Sequence, residues 1–390
     1  MASFRTITHR KKAFFIALTA AVMALLLCLI CYVMNNFPLF TGESLDQYAW
    51  VEWVFDHNTS EKGLGENCVL VNLTYDKQLV PVLDEYGFEK GNVDITDREK
   101  LLSLLQMLNS TKTYRYIFLD VRFEKNIDSP QDSALFTTIC SMKNIVIATH
   151  ADMEIGDSIL LKKTGISDYY STITATNFIR YEFLHDNKLS MPQMAYHELT
   201  GRKITRHGIF YTDNSNLCQN SLFLKFPLRD FSEYDKDGNK IYYNLGADLL
   251  ANYDEETLAE LVKNKDIIIG DFIEDRHDTY AGLQPGTVII YTAFQSLMKG
   301  EHIVKPIVII FEWILFTIII ITILSRWSLV DKVVFIQKRK FLSFLVSLIG
   351  YSFVLALFSH IVFLNYGMTI NVVLPSFIFA FLKYVVKLKK

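Results

Sequence analysis

Apolar residues in this chain are gathered at its two ends. One apolar span runs from Ala13 to Met34, a long polar stretch follows from Asn35 to Val304, and three more apolar spans (Pro306–Leu324, Phe341–Leu364, Met368–Val386) crowd the end. A helix needs roughly 20 mainly apolar residues to cross a hydrocarbon core about 30 Å thick, and all four spans are of that order. Lipid satisfies no backbone polar group, so such segments are restricted to helices. The expectation is four transmembrane helices, one before and three after a single domain at 35–304. The fourth span holds Pro375 and Lys383. A proline can kink a membrane helix, and a lysine near its end can snorkel to the interface.

Basic residues in short flanks set the orientation. The tail 1–12 has Arg5, Arg10, Lys11 and Lys12 and no acid; the loop 325–340 has Arg326, Lys332, Lys338, Arg339 and Lys340 against Asp331; Lys383 and the tail 387–390 close the chain with further lysines. The turn Asn365-Tyr366-Gly367 is uncharged. Four crossings with both termini cytoplasmic satisfy every flank, which places 35–304 outside the cytoplasm. The first span exceeds a usual signal-peptide core and no small-x-small site follows it closely, so it is expected to remain as an anchor. A net charge of −3 singles out no partner and gives no case for nucleic acid. The expected surroundings of the spans are a lipid bilayer. Cys28 and Cys31 lie in the first span, while Cys68, Cys140 and Cys218 lie in the polar stretch. A domain of this size builds its own core without disulfides.

Within the polar stretch, Tyr48–Asp56 has the pattern of a short helix. Cys68–Leu73, Tyr116–Leu119, Asn144–Thr149 and Asp266–Gly270 are apolar runs of strand length. Asp97–Asn109, a segment opened by Ser129-Pro130, Asp254–Lys263 and Thr287–Lys299 carry helical spacing and capping signals. Strands alternating with helices indicate an α/β domain with a mostly parallel sheet and helices on both faces. Asp235-Lys-Asp237-Gly238-Asn239 is a tight turn; its glycine is at position four and no Glu is at twelve, so it lacks the calcium-loop pattern.

The order of these segments resembles the type-2 CHASE domain, an extracytoplasmic sensory domain of bacterial membrane kinases and cyclases. The resemblance rests on the strand and acidic turn Cys68–Asp76, a helix led by Arg98, the strand Ile117-Phe-Leu-Asp120-Val-Arg122-Phe123, and an acid-led helix at Asp132. It continues through Asn144–Thr149, a lysine-ended helix, Ile267–Asp271, the loop Asp275-Arg-His277-Asp-Thr279 with Gly282 and Pro285-Gly286, and Leu297-Met-Lys-Gly300. It covers about residues 40 to 304 and extends to the one-before, three-after arrangement of spans. It implies a sensory domain and no particular ligand. Members of that family often continue into an output domain, and here only 387–390 follow the last span. The expectation is therefore a stand-alone member that signals to a separate protein.

In open parallel sheets, ligands bind beyond the carboxyl ends of strands. Three of the apolar runs lead straight into ionisable groups: Leu119 into Asp120 and Arg122, Thr149 into His150 and Asp152, and Ile269 into Asp271, Asp275, Arg276 and His277. These residues are the candidate ligand site, set against the ordinary use of strand-end Asp and His as caps of neighbouring loops. In the spans, Glu312 and His360 lie in the same half of the bilayer and form a candidate protonatable pair, set against two interfacial side chains. No G-x-S-x-G, H-E-x-x-H or P-loop is present, so no enzyme, cofactor or metal is expected. The expected function is sensing, by an inner-membrane protein that binds a small ligand or envelope partner and passes a change of state to another protein. Sensory membrane proteins commonly pair, so a homodimer belongs to that expectation. The rival is a non-enzymatic scaffold subunit of an envelope complex. A transporter is disfavoured because no paired broken helices offer a path.

Overall fold

The computed structural model describes residues 2–36, 67–125, 127–150, 157–168, 180–186, 188–226, 231–235, 237–279, 281–325, 340–368 and 370–388. The helix expected at Tyr48–Asp56, Asp152 and the loop residues 326–339 lie outside them. Six strands form one sheet: β1 (Cys68–Asn72), β2 (Tyr116–Leu119), β3 (Ile145–Thr149), β4 (Thr164–Ile166), β5 (Tyr242–Asn244) and β6 (Asp266–Gly270). Their order is β5-β1-β6-β2-β3-β4, and every pairing is parallel. β1, β2, β3 and β6 are buried at every residue, as strands of a parallel sheet covered on both faces must be.

Alternate side chains of each strand point to opposite faces, and this divides the core in two. Val69, Val71, Ile117, Ile147 and Ile269 pack with Leu101 and Leu105 of α2 (Arg98–Thr111), Leu135 of α3 (Asp132–Ser141) and Leu258 of α5 (Glu255–Val262). Leu70, Phe118, Val146 and Ile268 pack on the other face with α4 (Met191–Thr200) and α6 (Gly286–Met298). The forward connections β1→β2, β2→β3, β3→β4 and β5→β6 all step the same way along the sheet. A common crossover hand then places their helices on one face, where α2, α3 and α5 are found. The helices begin where polar side chains meet first-turn amides. Asp97 accepts from the amides of Glu99 and Lys100, and Asp254 forms a capping box with Thr257. These helix starts match the sequence expectation, and the helices do cover both faces.

A β-hairpin, Lys77–Leu83 with Glu89–Thr96, rises from the carboxyl edge of the sheet. A smaller three-stranded antiparallel sheet, Ile204–His207, Phe210–Asp213 and Asn216–Cys218, follows α4. The expected turn at Asp235 is present: the Asp235 carboxylate accepts from the amides of Asp237 and Asn239, so its oxygens close the turn itself. No disulfide joins any of the five cysteines.

Among the described residues, three helices are long and apolar enough to cross a membrane: 11–35 within α1 (Ala2–Asn35), α7 (Pro306–Leu324), and 341–366 within α8 (Lys340–Tyr366). The basic N-terminal tail continues α1 rather than standing apart from it. The expected fourth span is the exception. Residues 370–372 are not helical, and α9 (Val373–Leu388) has 16 residues, about 24 Å at the helical rise. Pro375 sits in its first turn, where a missing amide hydrogen costs no helical bond; it marks a helix start instead of a kink. α9 runs antiparallel along α8: the Ile370 amide donates to Ser359 Oγ at 3.1 Å, Lys383 Nζ to Ser347 Oγ at 3.0 Å, and Lys387 Nζ to Ser343 Oγ at 3.3 Å. α7 packs on α1 and on α9, and α8 packs chiefly on α9.

Candidate functional site

The sheet order sets side by side the ends of β1, β6, β2, β3 and β4, and a cavity of about 660 Å³ lies over these carboxyl ends. Of the residues expected from sequence, Asp120, Arg122, His150, Asp271, Asp275 and His277 line it; Arg276 does not. Residues 276–279 form a strand paired with 282–285, so neighbouring side chains point to opposite sides. Arg276 therefore turns away and donates from Nε to the Phe272 carbonyl at 2.7 Å. Asp168, Lys77, Glu274 and Tyr181 join the lining without having been foreseen. Val93, Asp94 and Ile95 of the hairpin also face the cavity, so the hairpin overhangs it.

The strand-end loops are held by buried polar contacts. Arg98, 1 % exposed, lies with Nε 3.4 Å from Asp132 Oδ1 and donates from Nη2 to the Arg122 carbonyl at 2.9 Å. Its guanidinium carbon is 4.3 Å from the centre of the Phe123 ring. Burial lowers the Arg98 pKa to about 10, with Asp132 opposing. The helix led by Arg98 and the helix led by Asp132 thus fix the loop that carries Asp120 and Arg122. Asp271 is likewise committed to structure. It accepts from Thr74 Oγ1 at 2.5 Å, from the amides of Ile273 and Glu274, and from Lys77 Nζ at 2.9 Å. Burial alone would raise its pKa, but these hydrogen bonds outweigh it and hold the carboxyl below its ordinary range.

Asp120 differs. Thr287 Oγ1 donates to its Oδ2 at 2.9 Å. His277 Nε2 lies 3.1 Å from Asp275 Oδ1, and His150 Nδ1 contacts Asp168 Oδ1. Asp120 therefore stands among two histidine–aspartate pairs. Burial, reinforced by the neighbouring Asp275 charge, raises its pKa to about 6. Arg122 is exposed at the rim and forms no ion pair among the described residues. α6 begins against this group without room to spare. A Cβ on Gly286 would lie 2.4 Å from Asp275 Oδ2, and one on Gly270 2.1 Å from Thr287 Oγ1. These two glycines let the helix start approach the carboxylates.

A carboxyl whose pKa is raised in the folded state binds more protons folded than unfolded, so it lowers stability as pH rises between the unfolded value of about 4 and the folded one. Asp120→Asn keeps an acceptor for Thr287 and removes the charge. Its melting temperature is expected to exceed that of the native protein at pH 8, with the difference vanishing near pH 4. Equal melting temperatures at pH 8 would refute the strained-carboxylate account.

Glu312 and His360 are not brought together. No ion pair joins them; Glu312, 9 % exposed, lies in α7. Both α7 and α8 pack chiefly on other helices, α7 on α1 and α9, and α8 on α9. Among the described residues, no group of three or more His, Cys, Asp or Glu is placed to hold a metal ion. No family model, no curated protein and no solved structure matches the chain.

Proposed function

We propose that the chain is a sensory protein of the bacterial inner membrane. In this reading 35–304 lies outside the cytoplasm, binds a small polar ligand in the cavity over the sheet, and passes its state through the membrane helices to a partner protein. The observation that carries the reading is the gathering of Asp120, His150, Asp275 and His277 around one cavity at the carboxyl edge of a parallel sheet, the position at which such sheets bind ligands. The motif order shared with type-2 CHASE domains supports it. So does the raised Asp120 pKa, because perturbed ionisable groups concentrate at working sites, and so does Arg122, exposed beside it and in no ion pair among the described residues. Both termini are cytoplasmic in this reading, and α9 with 370–372 makes the return crossing. Its antiparallel run along α8, with Lys387 level with Ser343, supports that path.

Binding to the folded state raises the melting temperature by mass action. The test is a thermal-shift screen of the full-length protein in detergent against amines, amino acids, sugars, carboxylates and divalent cations. The expected result is a ligand class that stabilises the native protein and loses its effect in both Asp120→Ala and His277→Ala. A screen in which every compound acts equally on native and variant proteins would count against the pocket.

One observation favours a second reading, a scaffold subunit that docks an envelope partner. The hairpin and its approach expose Tyr75, Leu79, Tyr86 and Phe88, at 64–77 %. Co-purification in mild detergent separates the two readings. A stable large assembly that dissolves on Tyr86→Ser with Phe88→Ser supports docking, and an unchanged one supports sensing.

A further inference from the structure

We infer that α6 is the transmission element of this protein, joining the cavity to the membrane helices through a clasp at Asp213 and His302. The inference rests on the sensory reading and specifies how that site is coupled. The first end of α6 is seated in the cavity: Gly286, Ile289 and Ile290 line it, Thr287 donates to Asp120, and the Gly286 amide donates to the Asp275 carbonyl at 2.9 Å. The helix is 13 residues long, and nearly all of them are buried. A buried helix of about 20 Å in a close-packed interior moves as one body, because such packing does not stretch.

At its far end the chain turns sharply through Gly300, whose φ is +68°, and enters α7 only six residues later at Pro306. That short connector is built into the three-stranded sheet. Cys218 pairs with Ile303, the Gln219 amide donates to the His302 carbonyl at 2.8 Å, and the Val304 amide donates to the Leu217 carbonyl at 2.9 Å. Beneath it, His302 and Asp213 are both fully buried with His302 Nε2 2.8 Å from Asp213 Oδ2, and Asp213 also accepts from Tyr196 and Arg202. The same small sheet holds α1: Tyr32 Oη donates to the Cys218 carbonyl at 2.8 Å and accepts from the Tyr211 amide at 3.0 Å. Both helices that meet in the bundle, α1 and α7, are therefore gripped by one sheet, and that sheet is fastened to the end of α6. The outer end of α8 abuts the same connector, where a Cβ on Gly367 would lie 3.0 Å from Glu301. A displacement of α6 by a ligand at Asp120 must move the connector, and with it α7 relative to α1.

Coupling between two sites is reciprocal, and that gives a test independent of any ligand. Hydrogen–deuterium exchange is measured on the full-length protein in lipid nanodiscs. Tyr32→Phe removes only the bridging hydroxyl and is read at 271–290, at the cavity; Asp120→Asn is read at 211–219 and 302–304, at the connector. The expected result is a change in exchange of about tenfold at the distant segment in each direction, the usual scale of coupling between sites, with α2 and α5 unchanged. Changes confined to the neighbourhood of each substitution would overturn the inference, as would a uniform change that includes α2 and α5. Because no ligand is used, a failed ligand screen with reciprocal exchange changes removes the proposed ligand and leaves the coupling standing.

Discussion

Asp213→Ala is expected to destabilise the protein by about 3–5 kcal/mol, the range for removing one partner from a buried charged network. Its carboxylate is fully buried and accepts from three side chains, His302, Tyr196 and Arg202. An ionised carboxylate only accepts, so Nε2 of His302 must carry the hydrogen. Truncation leaves a buried imidazole and a buried phenol facing a void, and a guanidinium without its counter-charge. Burial alone would raise the Asp213 pKa, but the hydrogen bonds from His302, Tyr196 and Arg202 outweigh it and hold it below the ordinary range. A depressed carboxyl pKa contributes stability above the unfolded value of about 4, and that contribution is lost as pH falls through the folded value. The gap between native and Asp213→Ala proteins is therefore expected to be full at pH 7 and to narrow on acidification below about pH 4. Thermal unfolding in detergent at pH 7 and pH 3.5 checks both statements. A gap that grows in acid would show that the network is held by something other than the carboxylate charge.

Gly165→Ala is expected to cost about 3 kcal/mol, the upper end for over-packing a rigid site. Gly165 lies at the middle of β4, where a Cβ would fall 2.6 Å from the Met191 Cα and 2.8 Å from its amide nitrogen. Both atoms are backbone at the start of α4, so no rotamer change relieves the clash. Either the edge strand leaves the sheet or α4 shifts off the core it makes with Phe118 and Val146. β4 leads directly to Ser167 and Asp168 of the cavity, so the substitution should also disturb the His150–Asp168 contact. Thermal unfolding gives the first effect, and the NMR shift of the His150 ring the second. A melting temperature within a degree of native would mean that α4 tolerates displacement.

The buried sheet was legible because strands covered on both faces are unbroken apolar runs between polar flanks. Tyr116–Leu119 and Asp266–Gly270 are bounded in the structure as they are in the sequence. Helix starts were legible from Asp97 and Asp254, whose side chains cap them. The edge strands and the exposed hairpin were not. β5 and β4 have three residues each, and the hairpin strands are exposed or half-buried at every residue but Val80, so neither leaves a hydrophobic period to read. The site followed the same division. Acids and histidines that end long buried strands were visible; Asp168, which follows a three-residue strand, was not. Arg276 was grouped with His277 by adjacency in sequence, whereas strand alternation separates adjacent side chains. Residues 370–372 lie within an apolar run of helical length but are not helical, and composition alone does not distinguish the two.

The sheet steps forward in every connection but one. Between β4 and β5 the chain must return across its whole width, and that single return includes α4, the three-stranded sheet and both backbone partners of the Tyr32 hydroxyl. Apart from Ser167, Asp168 and Tyr181, the cavity is built by the forward-stepping connections, the residues 271–277 that follow β6, and α6. Most of the cavity lining and the hold on α1 are thus written in separate stretches of polypeptide. A chimera that exchanged only 204–218 would keep every residue of the cavity lining while re-wiring the hold on α1, which makes the small sheet the natural seam for joining the parallel sheet to a different membrane helix.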